Sequence, residues 1–232
     1  MGKNATSCSK VSDDIDCPRC KEKKVIKNGK TKNNKQQYYC KICFYRFIEN
    51  YTYQAYKSGI NQNIIQLTKE GLGIRSTARI LKISATTLLK RIVSIARSIT
   101  KPIISKGKMY EVDELCTYIT HKKNYIWLVY ALEKNSKTVV SFNVGKRTNK
   151  TLSHVLDILK LSEAKKIFTD GLKNYRYLID EKLHSVKRFG TNHIERKNLT
   201  LRTHLKRLNR RTICFSKSLK ILVSIMKIYF WT

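Results

Sequence analysis

Negative charge is scarce in this chain. Its 232 residues hold 16 Asp and Glu against 48 Lys and Arg, a formal net charge of +32. Between Lys182 and Thr232 there are thirteen Lys or Arg and a single acid, Glu195. No acid at all occurs between Glu70 and Glu111. Such an excess works against compaction by self-repulsion and calls for a polyanionic partner. The basic residues run through segments with a structured pattern, so this is not a neutral globule carrying a basic tail.

Long apolar runs are also missing. The most apolar stretch, residues 219–231, is interrupted by Lys220 and Lys227 and is too short to span a bilayer. Its Leu219, Leu222, Met226 and Tyr229 recur at helical spacing, which predicts a helix packed on a core. Residues 1–10 are polar and lack the apolar centre of a signal peptide. The expected setting is therefore the reducing cytoplasm, with no membrane partner. There, seven cysteines read as metal ligands or free thiols rather than disulfides. The length suits one moderate domain with one or two small modules.

Four of the cysteines form two pairs. Cys17-Pro18-Arg19-Cys20 is followed after nineteen residues by Cys40-Lys41-Ile42-Cys43. Thiolates two residues apart grip one face of a tetrahedral ion, and two such pairs complete a closed, structural Zn²⁺ site. Between them, residues 24–30 read as a short strand ending in an Asn28-Gly29 turn, and Tyr38 and Tyr39 lead into the second pair. A small zinc ribbon fits, with the metal supplying most of its stability. Cys8, Cys116 and Cys214 lack such pairing and read as ordinary thiols.

Residues 61–98 read as three short helices. Ile64, Ile65 and Leu67 begin the first, which stops at Gly71-Leu72-Gly73. The second covers 74–81, with Ala78 for close packing. Ser84 caps a third, carried by Leu88, Leu89, Ile92 and Ile95. The pattern resembles a helix-turn-helix with a basic last helix. With Ser84 at the cap, Thr86, Thr87, Lys90 and Arg91 face a DNA groove.

Past a Lys-rich link at 101–108 the pattern becomes strand-like at 109–115, 125–132 and 138–144. A helix is predicted at 151–161, a strand at 166–169 and a helix at 172–181. A short strand at 184–187 and a long helical region follow. Three antiparallel strands, a helix and a further strand give the order of a ribonuclease H-like domain. That fold places one carboxylate on the first strand, one at the end of the fourth and one on a late helix.

Three acids suit those places. Asp113 lies mid-strand in an apolar setting, where a charge needs a partner. Glu111 shares its face and Glu114 points the other way, so Asp113 is the best choice of the three. The alternative is a solvated acidic edge. Asp170 ends a strand and precedes Gly171, where ligands collect; a plain Asp-Gly turn is the other reading. Glu195 stands alone in a basic segment, where a carboxylate is useful if it holds a divalent cation against a phosphate. It can also close a capping box with Asn192 at the N-cap. Arg202, two turns further on the same face, is placed to reach a phosphate.

Several runs resemble a known family. They are Tyr110-Glu111-Val112-Asp113-Glu114, Phe168-Thr169-Asp170-Gly171 and the stretch His193-Ile194-Glu195-Arg196-Lys197-Asn198 continuing to Leu205. Thr138-Val139-Val140, Gly145-Lys146-Arg147-Thr148 and Phe215-Ser216-Lys217-Ser218 belong with them. These are similar to the InsA/InsB-type transposases of the first-named family of bacterial insertion sequences. The cysteine pairs and Arg75-Ser76-Thr77-Ala78-Arg79-Ile80 look like its InsA part. The resemblance covers nearly the whole chain from about Cys17. In this family the product often arises by frameshifting, whereas this chain is continuous; Cys116 stands where an aromatic commonly follows the first Asp-Glu.

The resemblance implies a multidomain α+β chain. A zinc ribbon occupies 1–50, a helix-turn-helix 51–100 and a ribonuclease H-like DDE catalytic domain with a mixed sheet 101–232. It implies the triad Asp113, Asp170 and Glu195, with twenty-four residues between the last two. Two Mg²⁺ or Mn²⁺ ions are expected there, and one structural Zn²⁺ on Cys17, Cys20, Cys40 and Cys43. The partners implied are double-stranded DNA, as element ends and target, and further copies of the chain in a homo-oligomer associated with the nucleoid. Arg75, Arg79, Thr86, Thr87, Lys90, Arg91, Arg196, Asn198 and Arg202 are the expected DNA contacts. The rival expectations are a non-catalytic zinc-ribbon and helix-turn-helix regulator, and a nuclease without strand transfer.

Overall fold

The computed structural model describes residues 15–49, 51 and 53–232; the 1–10 segment and Cys8 lie outside them. The chain divides into two compact units at Tyr56/Lys57.

The first unit is a three-stranded antiparallel sheet, β1 (Val25–Lys30), β2 (Gln36–Cys40) and β3 (Arg46–Ile48), in that order. Its small core is Val25, Tyr38 and Phe47 beside the thiols of Cys17 and Cys40. The predicted Asn28-Gly29 turn is corrected. Gly29 does take a left-handed φ of 69°, but it sits within β1, where the register shifts between Lys27 and Lys30. The chain reverses later, where Thr31 N–H bonds Lys35 O and Asn34 turns left-handed at φ 57°. A glycine with positive φ inside a strand makes a bulge as readily as a turn, so the dipeptide alone did not decide.

The second unit begins with α1 (Ile60–Lys69), α2 (Ile74–Ile80) and α3 (Ala85–Ser98). Ser84 caps α3 as its sequence predicts, accepting from Thr87 N at 3.0 Å. Helix α1 ends at Gly71, φ 74°. A Cβ there would lie 1.9 Å from the carbonyl oxygen of His204, so only glycine lets this turn close on the later part of the chain.

A five-stranded sheet follows, in the spatial order β6 (Val139–Gly145), β5 (His121–Glu133), β4 (Met109–Ile119), β7 (Lys166–Phe168), β8 (His184–Ser185). The first three are antiparallel, and β4, β7 and β8 run parallel. With α4 (Asn149–Leu161) between β6 and β7, this is the ribonuclease H-like arrangement. The short helix α5 (Lys173–Leu178), α6 (Asn192–His204) and α7 (Leu219–Trp231) complete it.

Alternation along β4 decides what faces what. Tyr110 and Val112 enter one core with Leu152, Val155, Leu156 and Leu159 of α4. Leu115 and Ile119 enter the other with Ile194 and Leu201 of α6 and Leu222 and Met226 of α7. The pattern predicted strand ends at 115 and 125, yet β4 and β5 extend to Ile119 and back to His121. The helix predicted at 172–181 and the strand at 184–187 are shorter than expected, at Lys173–Leu178 and His184–Ser185.

Candidate active site

Strand β7 pairs with β4 only from Met109 to Glu111, so the edge of β4 is open from Val112 until Ser216 bridges Ile119. At that edge the parallel pair delivers two carboxylates, Asp113 from mid-strand β4 and Asp170 just past the end of β7. Carboxylate oxygens of Asp113, Glu114 and Asp170 all lie within 4.8 Å of one another. Glu114 was expected to point away, and its side chain does enter the opposite face. The open edge nevertheless lets its carboxylate meet the other two.

Each acid is held differently. Asp113 Oδ1 accepts from Glu114 N–H at 2.7 Å, and Oδ2 accepts from Asn198 Nδ2 at 2.7 Å. Asn198 is itself oriented by Tyr130 Oη, which donates to its Oδ1 at 2.8 Å. Burial raises the Asp113 carboxyl to about 6, and the nearby charges of Glu114, Asp170 and Glu195 add to the rise. Glu114 is locked by Arg147 Nη2 at 2.9 Å and by the Tyr175 hydroxyl. Asp170 is exposed, and its Oδ1 accepts from Leu172 N–H at 3.1 Å, so it is both turn former and site residue.

Glu195 is on the first turn of α6, exposed, near enough for its charge to bear on Asp113 yet outside the tight cluster. Its Oε1 accepts from Thr191 Oγ1 at 2.7 Å. The Asn192 capping box is corrected: Thr191 is the N-cap residue, with no side-chain cap bond. The helix start is capped instead from β4. Glu111, fully buried, accepts Ile194 N–H at 2.8 Å on Oε2 and faces His193 Nδ1 at 2.8 Å and Lys134 Nζ at 3.5 Å on Oε1. A carboxylate at a helix N-terminus satisfies free N–H groups and complements the macrodipole. Glu111 thus fixes the helix that carries Glu195 and Asn198. Only its position on the same strand face as Asp113 could have signalled this.

Among the expected DNA contacts, Arg75, Arg79, Thr86, Lys90 and Arg196 are exposed, and Thr87 and Arg91 are half-buried. Arg91 Nη1 donates to Asn61 Oδ1 at 2.9 Å, tying α3 to α1. Arg202 donates through Nη1 to Leu208 O at 2.7 Å, so part of its guanidinium anchors the chain after α6.

In the first unit, Cys17 Sγ lies 3.5 Å from Cys43 Sγ, and Cys20 Sγ 3.6 Å from Cys40 Sγ. A tetrahedron with metal–sulfur bonds of about 2.3 Å has edges of about 3.8 Å, so the four thiols fit one ion. The residues after each pair, Lys21 and Phe44, both have φ 61°, giving two knuckles of the same shape. Burial pushes the Cys17 thiol up, but the N–H groups of Cys20 and Arg19 and the neighbouring thiols pull it down to about 6. Cys40 is lowered with it, while their partners Cys20 and Cys43 are raised; a metal ion, which binds thiolates, would displace the protons these pairs share.

A family model described as IS1 transposase matches residues 108–231, and one described as InsA C-terminal domain matches residues 51–94. The chain belongs to the IS1 transposase family. The Insertion element IS1 protein InsB of Shigella flexneri is 40% identical over 111 residues, covering 48% of this chain and 85% of that protein. The IS1 4 protein InsB of Escherichia coli K12 is 39% identical over 111 residues, 48% of this chain and 66% of that one. Among solved structures, the HTLV-2 integrase catalytic core domain in complex with magnesium aligns over 55% of this chain and 86% of its own, at 18% identity and a TM-score of 0.37. A simian T-cell lymphotropic virus intasome chain gives 15% identity over 70% and 66%, also at 0.37. As a member of the IS1 family the chain is a DDE-type DNA transposase, a class of enzyme that works with a divalent metal. The donors fit: they are hard carboxylate oxygens converging at an open sheet edge.

Proposed function

We propose that this transposase binds the terminal repeats of its own insertion sequence and cleaves and joins DNA strands at Asp113, Asp170 and Glu195. The convergence of Asp113 and Asp170 at the end of the β4–β7 pair carries the reading. The metal is Mg²⁺ or Mn²⁺, two ions per site, and Zn²⁺ occupies the four thiols of the first unit. Bound ions of this kind activate an attacking hydroxyl and stabilise the leaving oxygen of a phosphodiester. Asp113, held by Glu114 N–H and Asn198, would hold the ions together with Asp170 and with Glu195, whose carboxylate now accepts from Thr191.

The remaining residues bind and orient DNA. Thr86, Thr87, Lys90 and Arg91 on α3, with Arg75 and Arg79 on α2, engage the element end. Arg196 and the free edge of Arg202 steady phosphates beside the acids. Two ends must be brought together, so the working form is a homo-oligomer on DNA, in the cytoplasm at the nucleoid. Among the described residues no helix is long and apolar enough to cross a membrane.

The test is movement of a marker flanked by the gene's own DNA ends, with the intact protein or with Glu195→Gln supplied separately. Movement with the intact protein alone is expected, with end binding unchanged in the variant. Movement with the variant would sink the triad. No movement with either, with binding intact, would point to a non-catalytic regulator.

A further inference from the structure

Past Cys116 the β4–β5 pair outruns β6 and β7, and beside it Ser216 bridges Ile119. Strand β7 stops pairing at Glu111, and β6 pairs with β5 only from Trp127 onward. The two strands continue as a ribbon, and one face of it is aromatic. Cys116 lies opposite Trp127, and Tyr118 opposite Tyr125, in line with Glu114. The Tyr118 and Tyr125 rings are 5.3 Å apart, and Phe215 meets Tyr118 edge-on at 6.1 Å. The Arg147 guanidinium lies 4.5 Å over Trp127 while bonding Glu114, so the row starts at the acidic cluster itself.

This face is also cationic. Arg147, Arg202 and Arg210 all act electrostatically on the Cys116 thiol in the middle of the row. His121, Lys122 and Lys123 stand exposed at its tip, and no acid occurs between Glu114 and Glu133. Yet Tyr125 is 57% exposed. Phosphate binding needs only the cations. An exposed ring among them adds something when it meets a base face, which paired, stacked DNA hides.

We propose that the Tyr118–Tyr125 row is a subsite for unpaired nucleotides next to the reacting phosphate. Tyr125, backed by Tyr118, stacks a base, and Arg147 and Arg210 hold the adjoining phosphates. This rests on the transposase reading of the acidic centre. The unpaired nucleotide comes from a frayed element end or from a kinked target, and both present the same chemistry.

The test uses the full chain without added divalent metal. Anisotropy at fixed salt compares oligo(dT) with an abasic oligomer of equal length and charge. The intact protein should prefer oligo(dT) by about 5- to 150-fold, the range for one stacked base. Tyr125→Ala should lose that preference while binding the abasic strand and a blunt duplex as before. Tyr125→Phe should keep it. Equal binding of the two strands by the intact protein would overturn the proposal. So would a Tyr125→Ala variant that only melts earlier, the behaviour of a cross-strand pair that merely stiffens the ribbon. A tailed duplex against a bulged duplex then separates the two sources. Marker movement without base preference defeats this proposal alone; base preference without movement keeps the nucleotide subsite but defeats the transposase reading and the reacting phosphate placed beside it.

Discussion

Replacing Asp113 by Asn should make the metal-free protein more stable. The carboxyl sits at about 6 instead of its ordinary 3.8, chiefly because of burial. At 1.36 kcal/mol per tenfold change in proton affinity, the charged form costs about 3 kcal/mol at neutral pH. Solvent at the open edge trims this to about 2–3 kcal/mol. Between about pH 4 and 6 the native state binds more protons than the unfolded one. The intact protein therefore loses stability as pH rises through that window and stays low above it. An amide removes the charge and can keep every hydrogen bond. Its oxygen still accepts from Glu114 N–H. Asn198 turns its amide over to accept from the new Nδ2, and gives its own Nδ2 to Tyr130 Oη. Tyr130 then donates to Ile194 O, already 3.2 Å away. Melting curves of both proteins without metal should differ by about 5–10 °C at pH 7.5, with the gap closing by about pH 4. Added Mg²⁺ should raise the melting point of the intact protein only. A variant no more stable at pH 7.5 would refute the charge argument, as would a gap that persists at pH 4.

Two further outcomes follow from other groups. Glu111→Leu orphans the Ile194 N–H and takes the carboxylate from His193, while Lys134 keeps Gly190 O and the Phe168 ring; it should cost about 2–3 kcal/mol and abolish strand transfer while α3 still binds DNA. Faster hydrogen exchange at the start of α6 would report it, and unchanged exchange there would discount the anchor. Stripping metal from the first unit, or Cys40→Ser, should unfold residues 15–49, because their apolar core is only a few side chains. Metal analysis should return one Zn²⁺ per chain, and loss of that ion with protease resistance intact would contradict a structural role.

Much of the fold was legible because its signals are local. Thiol spacing, the Ser84 cap and alternating strands each declare themselves within a few residues. The strand ends were not, because β4 and β5 continue past the apolar pattern on partners they supply to each other, Tyr118 to Tyr125 and Cys116 to Trp127. The Asn28-Gly29 bulge was misread for a related reason: which way a left-handed glycine is used depends on the partner strand. The capping of α6 was out of reach of any local rule, since its acceptor lies eighty-three residues away in β4.

The run Glu111-Val112-Asp113-Glu114 shows where such reading stops. Three acids of nearly the same chemistry stand within four residues, and each has a different task. Glu111 meets the start of α6, Asp113 meets Asn198 at the open edge, and Glu114 meets Arg147 and Tyr175. Alternation sorts faces but not tasks, since Glu111 and Asp113 share a face. The separation comes from where β7 ends. Glu111 is still paired with Phe168, so it is covered and must anchor. Asp113 is two residues beyond, unpaired on that side, and its carboxylate lies within 4.8 Å of those of Glu114 and Asp170. Lengthening β7 by two residues would bury Asp113 as Glu111 is buried. The length of a neighbouring strand, more than the identity of the acids, therefore makes this edge a candidate catalytic site.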